Sequence, residues 1–142
     1  MREIKLLVVH CSATTPTMDI DKEWIRKIHV DQNGWSDIGY HFFVKRDGTI
    51  ETCRPIERSG AHAKGYNKYS VGVCYAGGID SKGNPEDNRT EQQKEALQTL
   101  IASLCHDYNI GEILGHCDLP NVSKACPSFD AKSEYRGLEH CN

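Results

Sequence analysis

Long apolar runs are missing from these 142 residues: the N-terminal one, Leu6-Leu7-Val8-Val9, stops after four at His10. That is far short of the ~20 residues of a membrane span and of the apolar stretch of a secretory signal. No membrane partner and no signal peptide are therefore expected. Neither sign of charge is in excess: 17 Lys and Arg against 20 Asp and Glu leave a formal net charge of -3. Nothing electrostatic then favours a nucleic-acid ligand. Internal repeats and low-complexity segments are absent, so a single domain over residues 1–142 is expected. No two cysteines form a CxxC pair, which excludes a zinc ribbon or thioredoxin-type motif. No HExxH segment supplies a glutamate base.

What is present is an ordinary globular balance, 38% apolar and 26% charged. A chain this long buries roughly two-thirds of its unfolded surface and needs no staples. Its seven cysteines are odd in number and scattered, and several sit in apolar patterns, as Cys74 does in Val71-Gly72-Val73-Cys74-Tyr75. There a free thiol behaves as a small hydrophobe. A reduced, cytosolic chain is the better reading, and disulfides are the lesser one.

Residues 4–10 read as a buried strand, apolar and β-branched. Asp19 can cap a helix to about Gln32, with Ile20, Trp24, Ile25 and Ile28 on one face and Asn33-Gly34 as its stop. Residues 40–44 and 49–53 form a strand pair whose Asp47-Gly48 turn supplies positive φ. Residues 71–76 read as another strand, and 77–88 as a polar surface loop. Thr90 opens the clearest helix, with Gln93 completing a capping box and Leu97, Leu100, Ile101, Leu104 and Tyr108 as its buried stripe. A short strand over 113–116 ends on His116, and 128–140 reads as a last short helix. Strands and helices mixed in this way predict an α/β fold, a central mixed sheet flanked by helices.

A catalytic zinc takes three protein ligands, usually nitrogen or sulfur, and keeps one position open for water. His10 and His116 each end an expected strand, and Cys126 follows in the tight loop Lys124-Ala125-Cys126-Pro127. Element ends are where ligand geometry is held by packing. With seven histidines and seven cysteines to choose from, other sets are open.

Five blocks narrow that choice: Val8-Val9-His10-Cys11-Ser12-Ala13-Thr14; Gly39-Tyr40-His41-Phe42 with Lys45-Arg46-Asp47-Gly48-Thr49; Gly60-Ala61-His62-Ala63-Lys64-Gly65-Tyr66-Asn67; Gly72-Val73-Cys74 with Gly77-Gly78; and Lys124-Ala125-Cys126-Pro127-Ser128-Phe129-Asp130. In this order and spacing, across nearly the whole chain, they resemble the type 2 N-acetylmuramoyl-L-alanine amidases, more narrowly the amidase-type lysozymes of tailed phages. The resemblance implies an amidase/peptidoglycan-recognition-protein-like fold and hydrolysis of the amide between N-acetylmuramic acid and L-alanine. It implies one Zn2+ per chain on His10, His116 and Cys126, with Tyr40 and Lys124 as residues needed for catalysis. His62 and Asn67 are candidates for binding the muramyl peptide.

Plainer roles stand beside these. Tyr40 in an alternating strand could be core or cross-strand packing, and a lysine before a loop cysteine is commonly solvated surface. His62 and Asn67 could equally hold their loop together. His29 and His41 read as structural, Cys11 as pointing to the other face of its strand, and Arg54 as either a charge partner or a groove contact. The same superfamily includes recognition proteins that bind peptidoglycan without cutting it; Cys126 and Lys124 argue for the hydrolytic branch. A cysteine hydrolase is disfavoured, because zinc would occupy Cys126. Some phage amidases also bind and inhibit the phage RNA polymerase, which stands as an alternative partner. The nine residues before His10 make a shorter arm than theirs. The expected enzyme is a monomer made in the host cytoplasm, reaching the cell wall after release by a separate pore.

Overall fold

The computed structural model describes residues 2–120 and 122–140. A five-stranded sheet forms its centre: β1 (Leu6–Cys11), β2 (Phe42–Val44), β3 (Ile50–Thr52), β4 (Ser70–Tyr75) and β5 (Glu112–Gly115), in the order β3-β2-β4-β1-β5. β1 pairs in parallel with β4 and β5, β2 in parallel with β4, and β3 alone runs antiparallel. All six residues of β1 and all six of β4 are buried, as expected for parallel strands covered on both faces.

One face carries Leu7, Val9 and Cys11 of β1 with Val71, Val73 and Tyr75 of β4. Against them lies α2 (Glu91–Tyr108) through Leu97, Leu100, Ile101 and Leu104, with Tyr108 partly buried beside them. Burying each such side chain contributes about 1.5–3 kcal/mol. The expected capping box is formed: Gln93 N–H donates to Thr90 Oγ1 and Thr90 N–H to Gln93 Oε1, both at 3.0 Å. A cap of this kind contributes about 1 kcal/mol. The opposite face is covered by α1 (Lys22–Arg26) and the loops around Ile20, Ile38 and Ala63.

Several expected boundaries move. The first helix begins at Lys22, with Asp21 and not Asp19 as its cap. Asp21 Oδ1 accepts from Trp24 N–H at 3.1 Å and Glu51 Oε1 from Lys22 N–H at 2.8 Å, so two free amides of the first turn are satisfied here. From Lys27 to Gln32 the helix widens into a π-helical turn ending at Asn33. Tyr40 precedes β2, although its carbonyl still accepts from Arg54 N–H at 3.1 Å. The last helix resolves into α3 (Ala131–Glu134) and a 3-10 turn, Arg136–Leu138. Ser128 has a φ of 70°, which no helix can include. No helix among the described residues is long and apolar enough to cross a membrane. The six described cysteines are free, and Cys141 lies outside the described residues.

Candidate metal centre

The carboxyl ends of parallel strands are where open α/β sheets place ligands, and the candidate residues gather there. His10 is the penultimate residue of β1, 2% exposed, on the face away from α2. β5 stops at Gly115, so His116 opens a 3-10 turn instead of ending the strand. That turn is fixed by Asp118, whose Oδ2 accepts from Gly115 N–H at 2.8 Å. Cys126 arrives on the returning loop. Cys117 N–H donates to its carbonyl at 2.8 Å, and Cys11 N–H donates to its Sγ at 3.1 Å. One ligand atom from each of His10, His116 and Cys126 lies within 4.8 Å of the others.

Burial, then the neighbouring imidazoles, pull the His10 pKa well below its ordinary value. Burial, then the Lys124 cation, lower that of His116. Both rings are therefore neutral at pH 7, the form in which imidazole binds a metal. Contact with the Cys11 sulfur, then burial, push the Cys126 thiol up. Two imidazoles and a sulfur suit a borderline-soft cation such as zinc, with a fourth position left for water.

A cavity of about 270 Å³ opens over these three, lined also by Tyr40, Lys124, His29 and Trp35. The Tyr40 ring centroid lies 5.0 Å from that of His10. Burial holds the Tyr40 phenol well above its usual range, and the Cys74, Cys126 and Cys11 thiols add to this. Lys124 is exposed at the rim. Two further hollows, about 390 and 480 Å³, share His116 and Lys64 and extend the cavity into a groove. Among the residues lining the central cavity there is no carboxylate.

The other candidates fall out differently. His62 is 8% exposed, with Nδ1 2.9 Å from His10 Nε2 and Nε2 3.2 Å from Ser70 Oγ; it borders the groove with both ring nitrogens engaged. Asn67 also borders the groove, while its Oδ1 accepts from His62 and Ala63 N–H, both at 2.9 Å, and so ties the loop. Arg54 donates to the carbonyls of Ile38, Ser59 and Asp37, which makes it a structural partner. His41 is fully buried. Cys11 packs with Leu7 and Val9 on the α2 face, yet its sulfur also reaches Cys126. His29 combines two roles: its Nδ1 accepts from Gly39 N–H at 2.9 Å, and its ring, 4.6 Å from that of Trp35, lines the cavity. Sequence reasoning missed Trp35. Its signal was a large aromatic directly after the Asn33-Gly34 helix stop, where a side chain has little core to enter.

Residues 1–129 match the N-acetylmuramoyl-L-alanine amidase family. The endolysin of Klebsiella phage KP32 is 50% identical over 131 residues, covering 92% of this chain and 85% of that protein. The endolysin of Escherichia phage T7 is 46% identical over 126 residues, covering 89% and 82%. The N-acetylmuramoyl-L-alanine amidase LysC from Clostridium intestinale superposes with a TM-score of 0.80 at 31% identity, covering 95% of this chain and 83% of that one. With its family match spanning nearly all of its length, the chain belongs to the N-acetylmuramoyl-L-alanine amidases.

Proposed function

We propose that this peptidoglycan amidase is zinc-dependent and cuts the bond between N-acetylmuramic acid and the L-alanine of the stem peptide. The observation that carries the proposal is the convergence of His10, His116 and Cys126 within 4.8 Å beneath a cavity that Tyr40 and Lys124 also line. Zinc held there by His10, His116 and Cys126 would act as a Lewis acid on the amide carbonyl and lower the pKa of water towards ~7.

The chain's own groups supply the rest. The Tyr40 hydroxyl, on a ring packed beside His10 and lining the cavity, is placed to hydrogen-bond the reacting groups and orient them. The Lys124 ammonium, at the rim of the same cavity, stabilises negative charge that develops on the carbonyl oxygen. The groove beyond His116 gives sugar and peptide a place to lie on either side of the bond. As a lytic enzyme it is made in the cytoplasm, works as a monomer, and meets the wall after a separate pore releases it.

Zinc analysis of the purified protein, with mass spectrometry of digested peptidoglycan, tests this. The expected result is about one zinc per chain and release of intact stem peptides with a free L-alanine amine. New reducing sugar ends, or amines from cross-bridges, would indicate a muramidase or an endopeptidase and overturn the reading.

A further inference from the structure

β1 and β4 are in register, with Leu6 beside Ser70, Val8 beside Gly72 and His10 beside Cys74. These pairs share the sheet face away from α2. On that face β4 offers a hydroxyl at Ser70 and no side chain at Gly72, so a slot runs along the strand next to His10. The His62 ring fills it. A Cβ on Gly72 would lie 2.7 Å from His62 Cγ, and one on Gly60 would lie 2.7 Å from His62 Cδ2. Two glycines from different segments thus leave room for one imidazole, which stands edge-on to His10 at 88° with centroids 5.0 Å apart.

Once His10 gives a nitrogen to a cation, the hydrogen bonds inside this slot have one consistent assignment. With Nε2 of His10 turned to His62 Nδ1 at 2.9 Å, Nδ1 is the nitrogen His10 has left for a cation. A neutral His10 that offers the Nδ1 lone pair carries its proton on Nε2 and donates it to His62 Nδ1. His62 then carries its own proton on Nε2 and donates it to Ser70 Oγ at 3.2 Å. Metal-bound histidines depend on such a partner for ring orientation and tautomer.

We infer that His62 is the positioning residue of the metal site: it fixes the tautomer and orientation in which His10 presents Nδ1, and Ser70 anchors it in turn. The inference rests on the reading of His10, His116 and Cys126 as a zinc site. It assigns to His62 a role other than contact with the muramyl peptide.

Zinc affinity, measured by chelator competition on the folded protein, tests it apart from turnover. His62→Ala should weaken zinc binding by ~10–100-fold. His62→Asn, which returns an acceptor near the position of Nδ1, should recover part of that loss. Ser70→Ala should shift affinity in the same direction by less. At saturating zinc, the KM of His62→Ala should match the parent. Imidazole 15N shifts of the zinc-loaded parent require no variant, and should show protons on Nε2 of both His10 and His62. A proton on His62 Nδ1, or parental zinc affinity in His62→Ala with a raised KM, would overturn the inference and make His62 a substrate contact. A parent protein that binds no zinc would instead remove the reading on which the inference stands.

Discussion

The Tyr75 hydroxyl donates to the carbonyl of Pro127 at 2.6 Å, so the last residue of β4 grips the loop directly behind Cys126. Tyr75 is fully buried, and its burial, with nearby Cys11 and Asp87, raises the phenol pKa far above neutrality, so it remains a donor. With the two amide contacts from Cys11 and Cys117, this bond holds the thiol ligand against the sheet. The loop has little regular structure of its own, and these three bonds stand in for it.

Tyr75→Phe should therefore cost about 1–2 kcal/mol, the cost of leaving a buried carbonyl without its donor. It should also weaken zinc binding, because the Cys126 loop loses one anchor. Urea unfolding and zinc titration of the variant check both effects. Parental behaviour in both would show that the loop is held by other contacts.

Arg89 provides the second clamp on this segment. Its side chain is 3% exposed, pairs with Asp87 at 2.8 Å and Glu134 at 2.7 Å, and lies 3.4 Å over the Phe129 ring. It thereby joins the entrance of α2 to the residues that follow Cys126. Arg89→Ala leaves two carboxylates without their cation and should cost about 3 kcal/mol, at the low end for a broken buried pair because both acids are partly solvated. Hydrogen bonds and charge from Arg89 hold Asp87 and Glu134 below their ordinary pKa values. Their contribution is complete above pH ~5, past the unfolded carboxylate values, and is lost as pH falls through the lowered values. The variant should thus lose stability less steeply with acid below pH ~5 than the parent does.

Much of this was legible in the sequence because the pattern there is local. Thr90 and Gln93 stand three apart and make a capping box with no help from tertiary structure. The apolar run Leu6 to Val9 reads as a buried strand, and it is buried on both faces. What escaped reading depends on distant partners. Asp21 displaces Asp19 as a cap because Glu51, on another strand, meets the same turn. The slot for His62 needs Gly60 and Gly72 to coincide in space, and neither glycine signals that alone. His10 lies more than a hundred residues before His116 and Cys126, and they meet because β1 pairs with β5.

His41 gives the fold a pH dependence in a higher window. Its Nδ1 accepts from Gly72 N–H at 3.0 Å, so its proton sits on Nε2 and goes to the Arg58 carbonyl at 2.8 Å. A second proton would turn Nδ1 into a donor facing a donor. Burial brings its pKa from 6.5 down to about 4; the Arg58 carbonyl pulls the other way, and the Arg2 and Arg54 cations lower it further. The unfolded chain takes up this proton near pH 6.5 and the native chain does not, so stability falls as pH drops from 6.5 towards 4. One such proton gives a slope of at most about 1.4 kcal/mol per pH unit. Denaturant midpoints from pH 4 to 8 should be flatter in His41→Asn than in the parent; equal slopes would show that His41 does not govern this window.

Tyr40 and Lys124 separate chemistry from metal binding, because neither belongs to the ligand set and both line the cavity above it. Lys124 is exposed, so Lys124→Ala should leave folding and zinc content at the parent level. Turnover of peptidoglycan should fall by ~10²-fold or more, the scale of losing one stabiliser of transition-state charge. Tyr40→Phe preserves the ring beside His10 and removes only the hydroxyl, so it should lower kcat with zinc affinity unchanged. If Lys124 only gripped a stem-peptide carboxylate, its loss would raise KM and spare kcat. If Tyr40 were only packing, Tyr40→Phe would cleave at the parent rate. Steady-state kinetics on soluble muropeptides, with zinc content measured on the same samples, distinguishes these outcomes, and parental kcat in both variants would overturn the assigned roles.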